Sequence, residues 1–292
     1  MAQYSIDQFS NLTGLNKILI RTWENRYNFI EPKRTNTNIR FYDDYMLTKG
    51  IKYSILVNNG HKISKVVKYE DTQVNNLIEE ILNVSKNNET KNDIYISKII
   101  ESALFFNQEL FENTYNTCTK EISIINFYKD VLIGAMNKIS ILYLNAEITP
   151  ANEHFLSENI RLKIANEIAK IKPVSNDEKK WVLFLPENEY HDIGLLFTLL
   201  ILKTNKHNVI YLGQNTPRES LLQFKDTKFY GLFFMSTKKF PNFTDNLCSF
   251  LDHNFKKGHF YAVEREKTFN DKYKNITSIS DIDKFIALTL KL

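Results

Sequence analysis

The chain has only two cysteines in 292 residues, Cys118 and Cys248, far apart and with no second Cys or nearby His at metal-ligand spacing. That excludes a disulfide framework and a zinc finger, and both residues read as buried thiols. Glycine is scarce, at 8 residues. No strand-like run is followed by G-x-G-x-x-G and there is no P-loop, so dinucleotide and nucleotide sites find no support. No run approaches the roughly 18 apolar residues that cross a bilayer, and "MAQYSIDQFS" lacks the basic, apolar, small-residue order of a signal peptide. A cytoplasmic protein is expected. No nucleophile, base and orienter set is present, so the chain does not read as an enzyme. What remains, 43% hydrophobic and 25% charged residues, is the composition of a globular protein of two or three domains.

The net charge of +4 is small but unevenly placed. Residues 1–68 hold 11 Lys or Arg against 5 Asp or Glu, an excess of six, so the remainder is net −2. A polyanionic partner for the N-terminal segment follows. In "SIDQFSNLTGLNKILIRTWENRY", Ser5 is an N-cap, Ile6, Phe9 and Leu12 recur at helical spacing, and Gly14 suits a turn of positive φ. A second helix follows, with Ile18, Leu19 and Trp23 as its expected buried stripe. Lys17, Arg21, Thr22 and Arg26 face away from it, residue types that reach phosphates and base edges. After Pro32, "KRTNTNIRFYDD" reads as a small β-wing carrying Arg34, Asn38, Arg40 and Tyr42. Asp43 or Asp44 then caps a helix to about Asn58, and one more short helix follows "NNGH".

The runs "IRTWENRY", "EPKRTNTNIRFY" and "NNGHKISKV", in that order over residues 3–68, resemble the MerR family of winged-helix transcriptional regulators. The resemblance implies double-stranded promoter or operator DNA as partner, with the second helix in the major groove and the wing on the flanking backbone. It also implies a protein associated with the nucleoid.

From Asp71 to Lys172 glycine occurs only at Gly134 and proline only at Pro150. Helical periodicity predicts four helices, 72–86, 92–114, 119–146 and 150–171, as an antiparallel bundle. The last junction contains Tyr143, Glu153 and His154. The cobalamin-dependent light sensors, a subgroup of the MerR family, carry Trp, nine residues, then Glu-His over the upper face of the cofactor. Glu153 and His154 match that frame and Tyr143 departs from it. As a plain sequence feature, the pair is a decoration of a helix's first turn.

Beyond the polar stretch "KPVSNDEKK", short apolar runs at 181–186, 208–213, 229–236 and 259–263 alternate with helical segments. Such runs predict parallel strands buried on both faces, a Rossmann-like, flavodoxin-like sheet. Ligands of that architecture bind beyond the carboxyl ends of the strands, where "PENEYHDIG" lies. Glu189-x-His191-x-x-Gly194 resembles the cobalamin-binding motif, in which the histidine ligates cobalt from below and the acid two positions earlier holds its other nitrogen. A neutral imidazole is the ligand, and a carboxylate fixes its tautomer and raises its basicity. Ser236 follows Gly194 after 41 residues, the family spacing. Lys238 stands where the family has leucine, and Glu264 and Arg265 where it has a Gly-Gly pair, so the seat for the cofactor's nucleotide tail is altered.

The expected organisation is a winged helix-turn-helix DNA-binding domain (1–71), an all-α four-helix bundle (72–175) and a Rossmann-like domain (179–292). Resemblance to the light sensors implies that cobalamin, as adenosylcobalamin or a related corrinoid held between bundle and Rossmann domain, controls oligomerisation and DNA affinity, with His191 as the metal ligand. The segment after the helix-turn-helix lacks a long a/d heptad, so homo-oligomerisation through the two C-terminal domains is expected. Three alternatives stay open: an apo regulator whose sensor is a scaffold, a corrinoid methyl-carrier subunit, and a DNA-binding module that recruits a protein.

Overall fold

The computed structural model describes residues 3–144, 148–174, 180–234, 241–263 and 272–292. The chain divides into two compact units, Met1–Glu158 and Asn159–Leu292.

The first unit opens with helix α1 (Ile6–Thr13), fixed by a capping box in which Ser5 and Gln8 satisfy each other's amides, and ended by Gly14 at φ +73°. Asn16 caps α2 (Lys17–Tyr27), and Asn28 ends it in the left-handed conformation that asparagine tolerates. The wing is a short antiparallel pair, β1 (Lys33–Arg34) and β2 (Arg40–Phe41), followed by α3 (Asp44–Asn58), which Asp43 caps, and α4 (Ile63–Val66). Phe9, Ile20, Trp23, Phe29, Tyr42, Leu47 and Tyr53 form the buried centre of this part. Gly50 of α3 lies under the Phe9 ring, where a Cβ has no room.

The helical region continues with α5 (Asp71–Val84), α6 (Asn88–Leu104), α7 (Gln108–Glu121), a short α8 (Ile124–Phe127) that runs through a π turn into α9 (Ile133–Leu144), and α10 (Pro150–Lys170). The segment 92–114 is therefore not one helix. Phe106 turns to φ +52°, and Asn107 accepts from the Leu110 amide to start α7 afresh. Likewise Ile122 is extended and Ser123 caps α8, so the expected helix from 119 begins at 124. In both places a polar cap at the next helix start overrode the apolar period. Buried Asn152 ties two helix ends together. Its amide donates to the carbonyls of Ala103 and Leu104, and its oxygen accepts from Thr149.

The second unit is a five-stranded parallel sheet with helices. The strands are β3 (Lys180–Pro186), β4 (Asn208–Thr216), β5 (Phe229–Phe234), β6 (Gly258–Val263) and β7 (Ile276–Ile279), in the spatial order β4-β3-β5-β6-β7. β3 is buried from Trp181 to Pro186, as a continuous apolar run requires. The fifth strand, "ITSI", escaped the sequence because it is a four-residue edge strand with half-polar composition. α11 (Ile193–Thr204), a 3₁₀ turn (Arg218–Phe224), α12 (Pro241–Asn254) and α13 (Ile282–Lys291) complete the unit. Strand order reverses between β4 and β5, with β3 at the switch point, so the crevice such sheets use for ligands opens where β3 ends.

Candidate functional site

Two regions carry candidate chemistry, one in each unit. In the first, α2 buries Ile20, Trp23 and Glu24. Ile18 is 74% exposed and Leu19 also reaches solvent, which corrects the expected buried stripe. The period was set by Glu24, an acid that hydrophobicity assigns to the surface. Here it is buried because the Tyr42 hydroxyl donates to it at 2.5 Å and Arg40 lies 3.5 Å away.

Tyr42 is accordingly not a wing residue open to DNA. It has no exposed surface, stacks on Phe9 at 4.3 Å between ring centroids, and pairs its backbone with Tyr4. Burial, and then the Glu24 carboxylate, push its pKa up. Arg40 is half-buried and turned toward Glu24. Arg34 is exposed and donates to the Asn38 carbonyl and side-chain oxygen at 3.2 and 2.9 Å, while Asn38 makes the turn at φ +65°. Arg21 and Arg26 are exposed. Lys17 is ion-paired with Asp7, and the Thr22 hydroxyl donates to the Ile18 carbonyl. Lys17, Arg21, Thr22 and Arg26 on α2, with Arg34 and Asn38 on the wing, thus remain at the surface.

On the bundle, Tyr143 is exposed at the end of α9. His154, in the first turn of α10, is exposed, with its Nε2 3.8 Å from Glu153 Oε2.

In the second unit the loop after β3 places His191 and Glu189 together. The Glu189 side chain is largely buried and one oxygen accepts three times: from the Tyr190 amide at 3.0 Å, the His191 amide at 3.0 Å and His191 Nδ1 at 2.6 Å. Burial alone raises this carboxyl's pKa, but those hydrogen bonds outweigh it and hold the group below the usual carboxylate range. An ionised carboxylate only accepts, so Nδ1 donates to it, and Nε2 is the ring nitrogen not engaged by Glu189. The His191 side chain is 86% exposed, so that nitrogen is open to a ligand.

The glycine of the motif has a local packing reason. A Cβ on Gly194 would lie 2.9 Å from the Phe234 ring at the end of β5, so its absence lets α11 pack on the sheet. Ser236, Lys238, Glu264 and Arg265 lie outside the described residues. Among the described residues no group of three or more His, Cys, Asp or Glu is placed to hold a metal ion. Both cysteines are buried, and burial pushes the Cys118 thiol up to about 12.

Residues 4–73 match the family model described as MerR HTH family regulatory protein. Over these residues the chain carries a MerR-type helix-turn-helix domain. Its sequence is 23% identical over 249 residues to the HTH-type transcriptional repressor CarH of Myxococcus xanthus, covering 84% of this chain and 83% of that protein. The chain also matches the HTH-type transcriptional regulator MlrA of Escherichia coli, 30% identical over 66 residues, 23% of this chain and 27% of that one. In fold, the chain is similar to the monomethylamine corrinoid protein of Methanosarcina barkeri, with a TM-score of 0.53 at 13% identity, covering 68% of this chain and 95% of that structure. The fold is thus a helix-turn-helix, a helical region and a Rossmann-like parallel sheet. No helix among the described residues is long and apolar enough to cross a membrane.

Beside the MerR-type surface, sequence reasoning missed Asn25, exposed on the same face of α2 as Arg21. It also missed Asp192 and Arg161. Asp192 stands at the N-cap of α11 but makes no capping bond. Its Oδ2 instead accepts from Arg161 Nη1 at 2.6 Å, while Oδ1 is buried with no hydrogen-bond partner. Burial, and then the Asp192 charge, push nearby Tyr211 up to about 12. Only the capping preference of an Asp before a helix was visible in sequence, and it pointed to the wrong partner.

Proposed function

We propose that this MerR-type regulator holds double-stranded DNA with α2 and the β1–β2 wing, and binds a corrinoid at the carboxyl edge of its parallel sheet, with His191 as cobalt ligand. The observation that carries the corrinoid half is the Glu189–His191 pair. Its 2.6 Å contact lies in the loop after the switch-point strand, and Nε2 faces solvent. A corrinoid, when bound, supplies a cobalt centre able to take one imidazole nitrogen. Glu189 fixes the tautomer of His191, orients the ring and raises its basicity. Gly194 supports the loop indirectly, through its packing on Phe234. Ser236 belongs to the proposal by its spacing. Tyr143, His154 and Glu153 are proposed as cofactor contacts on the bundle, where exposure leaves the first two open to a ligand.

On the DNA side, Lys17, Arg21, Thr22 and Arg26 are proposed for the major groove, and Arg34, Asn38 and Arg40 for the backbone. The proposed working parts are residues 1–71 for DNA, 72–175 as cap and 179–292 as cofactor domain. Homo-oligomerisation through the latter two is the proposed route by which ligand or light reaches operator affinity, in a protein of the cytoplasm at the nucleoid. Incubation of the chain with adenosyl- and methylcobalamin in the dark, followed by desalting and an absorption spectrum, tests the cofactor. Corrin bands that are retained by the wild type and lost in His191→Ala support the ligand. No retained bands would leave a regulator with a scaffold domain.

A further inference from the structure

The centre of the exposed face of α2 is not basic. With 3.6 residues per turn, the buried Ile20, Trp23 and Glu24 lie opposite the row Ile18, Thr22 and Asn25, while Arg21 and Arg26 flank that row on either side. Ile18 stands in the first turn of the helix and is 74% exposed. The Thr22 hydroxyl is committed to the Ile18 carbonyl at 2.7 Å, which leaves the methyl as the part of this half-buried side chain not engaged in a hydrogen bond. Asn25 is exposed and presents a carboxamide, a donor and an acceptor side by side. An apolar spot between two arginines gains nothing from phosphates. It matches the one apolar group in the major groove, the thymine C5-methyl, just as a carboxamide matches adenine N6 and N7.

We propose that the row Ile18–Thr22–Asn25 selects A·T base pairs, with Ile18 and the Thr22 methyl packed on thymine methyls and Asn25 bidentate on adenine. The proposal rests on the DNA-binding reading above and adds its sequence preference. Ile18 and Asn25 are seven residues apart, about 10.5 Å along the helix, or about three base-pair steps. The two contacts therefore fall within one short A·T-containing window of each half-site.

The test uses the full chain and the duplexes it enriches from a random library. In those duplexes thymine is replaced by deoxyuridine, which removes only the methyl, or adenine by 7-deazaadenine, which removes only N7. The wild type is expected to lose about fourfold in affinity per buried methyl and about tenfold with 7-deazaadenine. Ile18→Ala is expected to abolish the deoxyuridine effect and Asn25→Ala the 7-deazaadenine effect, both with unchanged melting because the side chains are exposed. Enriched sites without A·T preference, or variants that keep the wild-type sensitivities, would overturn the proposal. So would an Ile18→Ala variant that changes only the oligomeric state, since the exposed isoleucine would then face another copy. Failure to enrich any duplex is a different result and would remove the DNA-binding reading itself.

Discussion

Replacing Tyr42 by phenylalanine separates two roles that give opposite results. The Tyr42 hydroxyl donates to the buried Glu24 at 2.5 Å. The other Glu24 oxygen and Arg40 Nε are 3.5 Å apart and neither makes a hydrogen bond. The phenol is thus the hydrogen bond that holds this carboxylate in place among the described residues. A hydrogen bond to a charged group contributes about 1.5–3 kcal/mol, and the ring's stacking on Phe9 survives the substitution, so the expected loss is about 2 kcal/mol. Hydrogen exchange read by mass spectrometry over residues 4–58 of the full chain measures it. Exchange of the slowest amides of α1–α3 should quicken about thirtyfold, since each 1.4 kcal/mol is tenfold. Burial and Glu24 keep the phenol protonated, so the effect should not vary across neutral pH. DNA affinity and its salt dependence should stay at the wild-type level under conditions where the domain is folded. Unchanged exchange together with weaker, less salt-dependent DNA binding would refute the reasoning and return Tyr42 to the wing's phosphate contacts.

Arg161→Ala leaves Asp192 buried without its cation. Breaking a fully buried pair costs about 3–5 kcal/mol, and since Arg161 is a third exposed, about 2 kcal/mol is expected in the denaturation of the second unit followed by Trp181 fluorescence. A wild-type transition would show that the pair carries no weight. Asn152→Ala removes the links from α10 to the end of α6 and strands two carbonyls, for an expected loss of about 2–3 kcal/mol in the helical signal's thermal transition; a Tm within a degree of wild type would contradict it. Glu189 has a depressed pKa in the folded chain, so its stabilising contribution is complete above the ordinary value of 4.5 and is lost as pH falls through the lower folded-state value. The Tm gap between wild type and Glu189→Gln should therefore be widest near neutrality and close on acidification, and a gap independent of pH would mean that the carboxylate's charge is not what holds the loop.

Much of the fold was legible because it rests on local rules. Ser5, Gly14 and Asp43 punctuate the helix-turn-helix and the helix after its wing where capping chemistry requires, and four apolar runs became four parallel strands. What escaped was decided by polar atoms finding distant partners. Periodicity joined 92–114 because it cannot weigh Asn107 as a cap against the apolar residues on both sides. It also gave α2 the wrong buried face, because Glu24 is buried only by virtue of Tyr42, which lies 18 residues further on.

The sequence by itself determined the order of parts, the basic N-terminal surface and the Glu189–His191 pair, whose two members are close enough in the chain for one loop to bring them together. Tertiary structure alone decided which side chains of α2 face outward, that Tyr42 serves the core, that Phe234 is what requires a glycine at 194, and that Asp192 answers to Arg161, 31 residues away. The division follows from range. Caps, periods and short motifs act within a turn or a loop, whereas burial of a charge or a ring depends on partners that only the folded chain brings within hydrogen-bond distance.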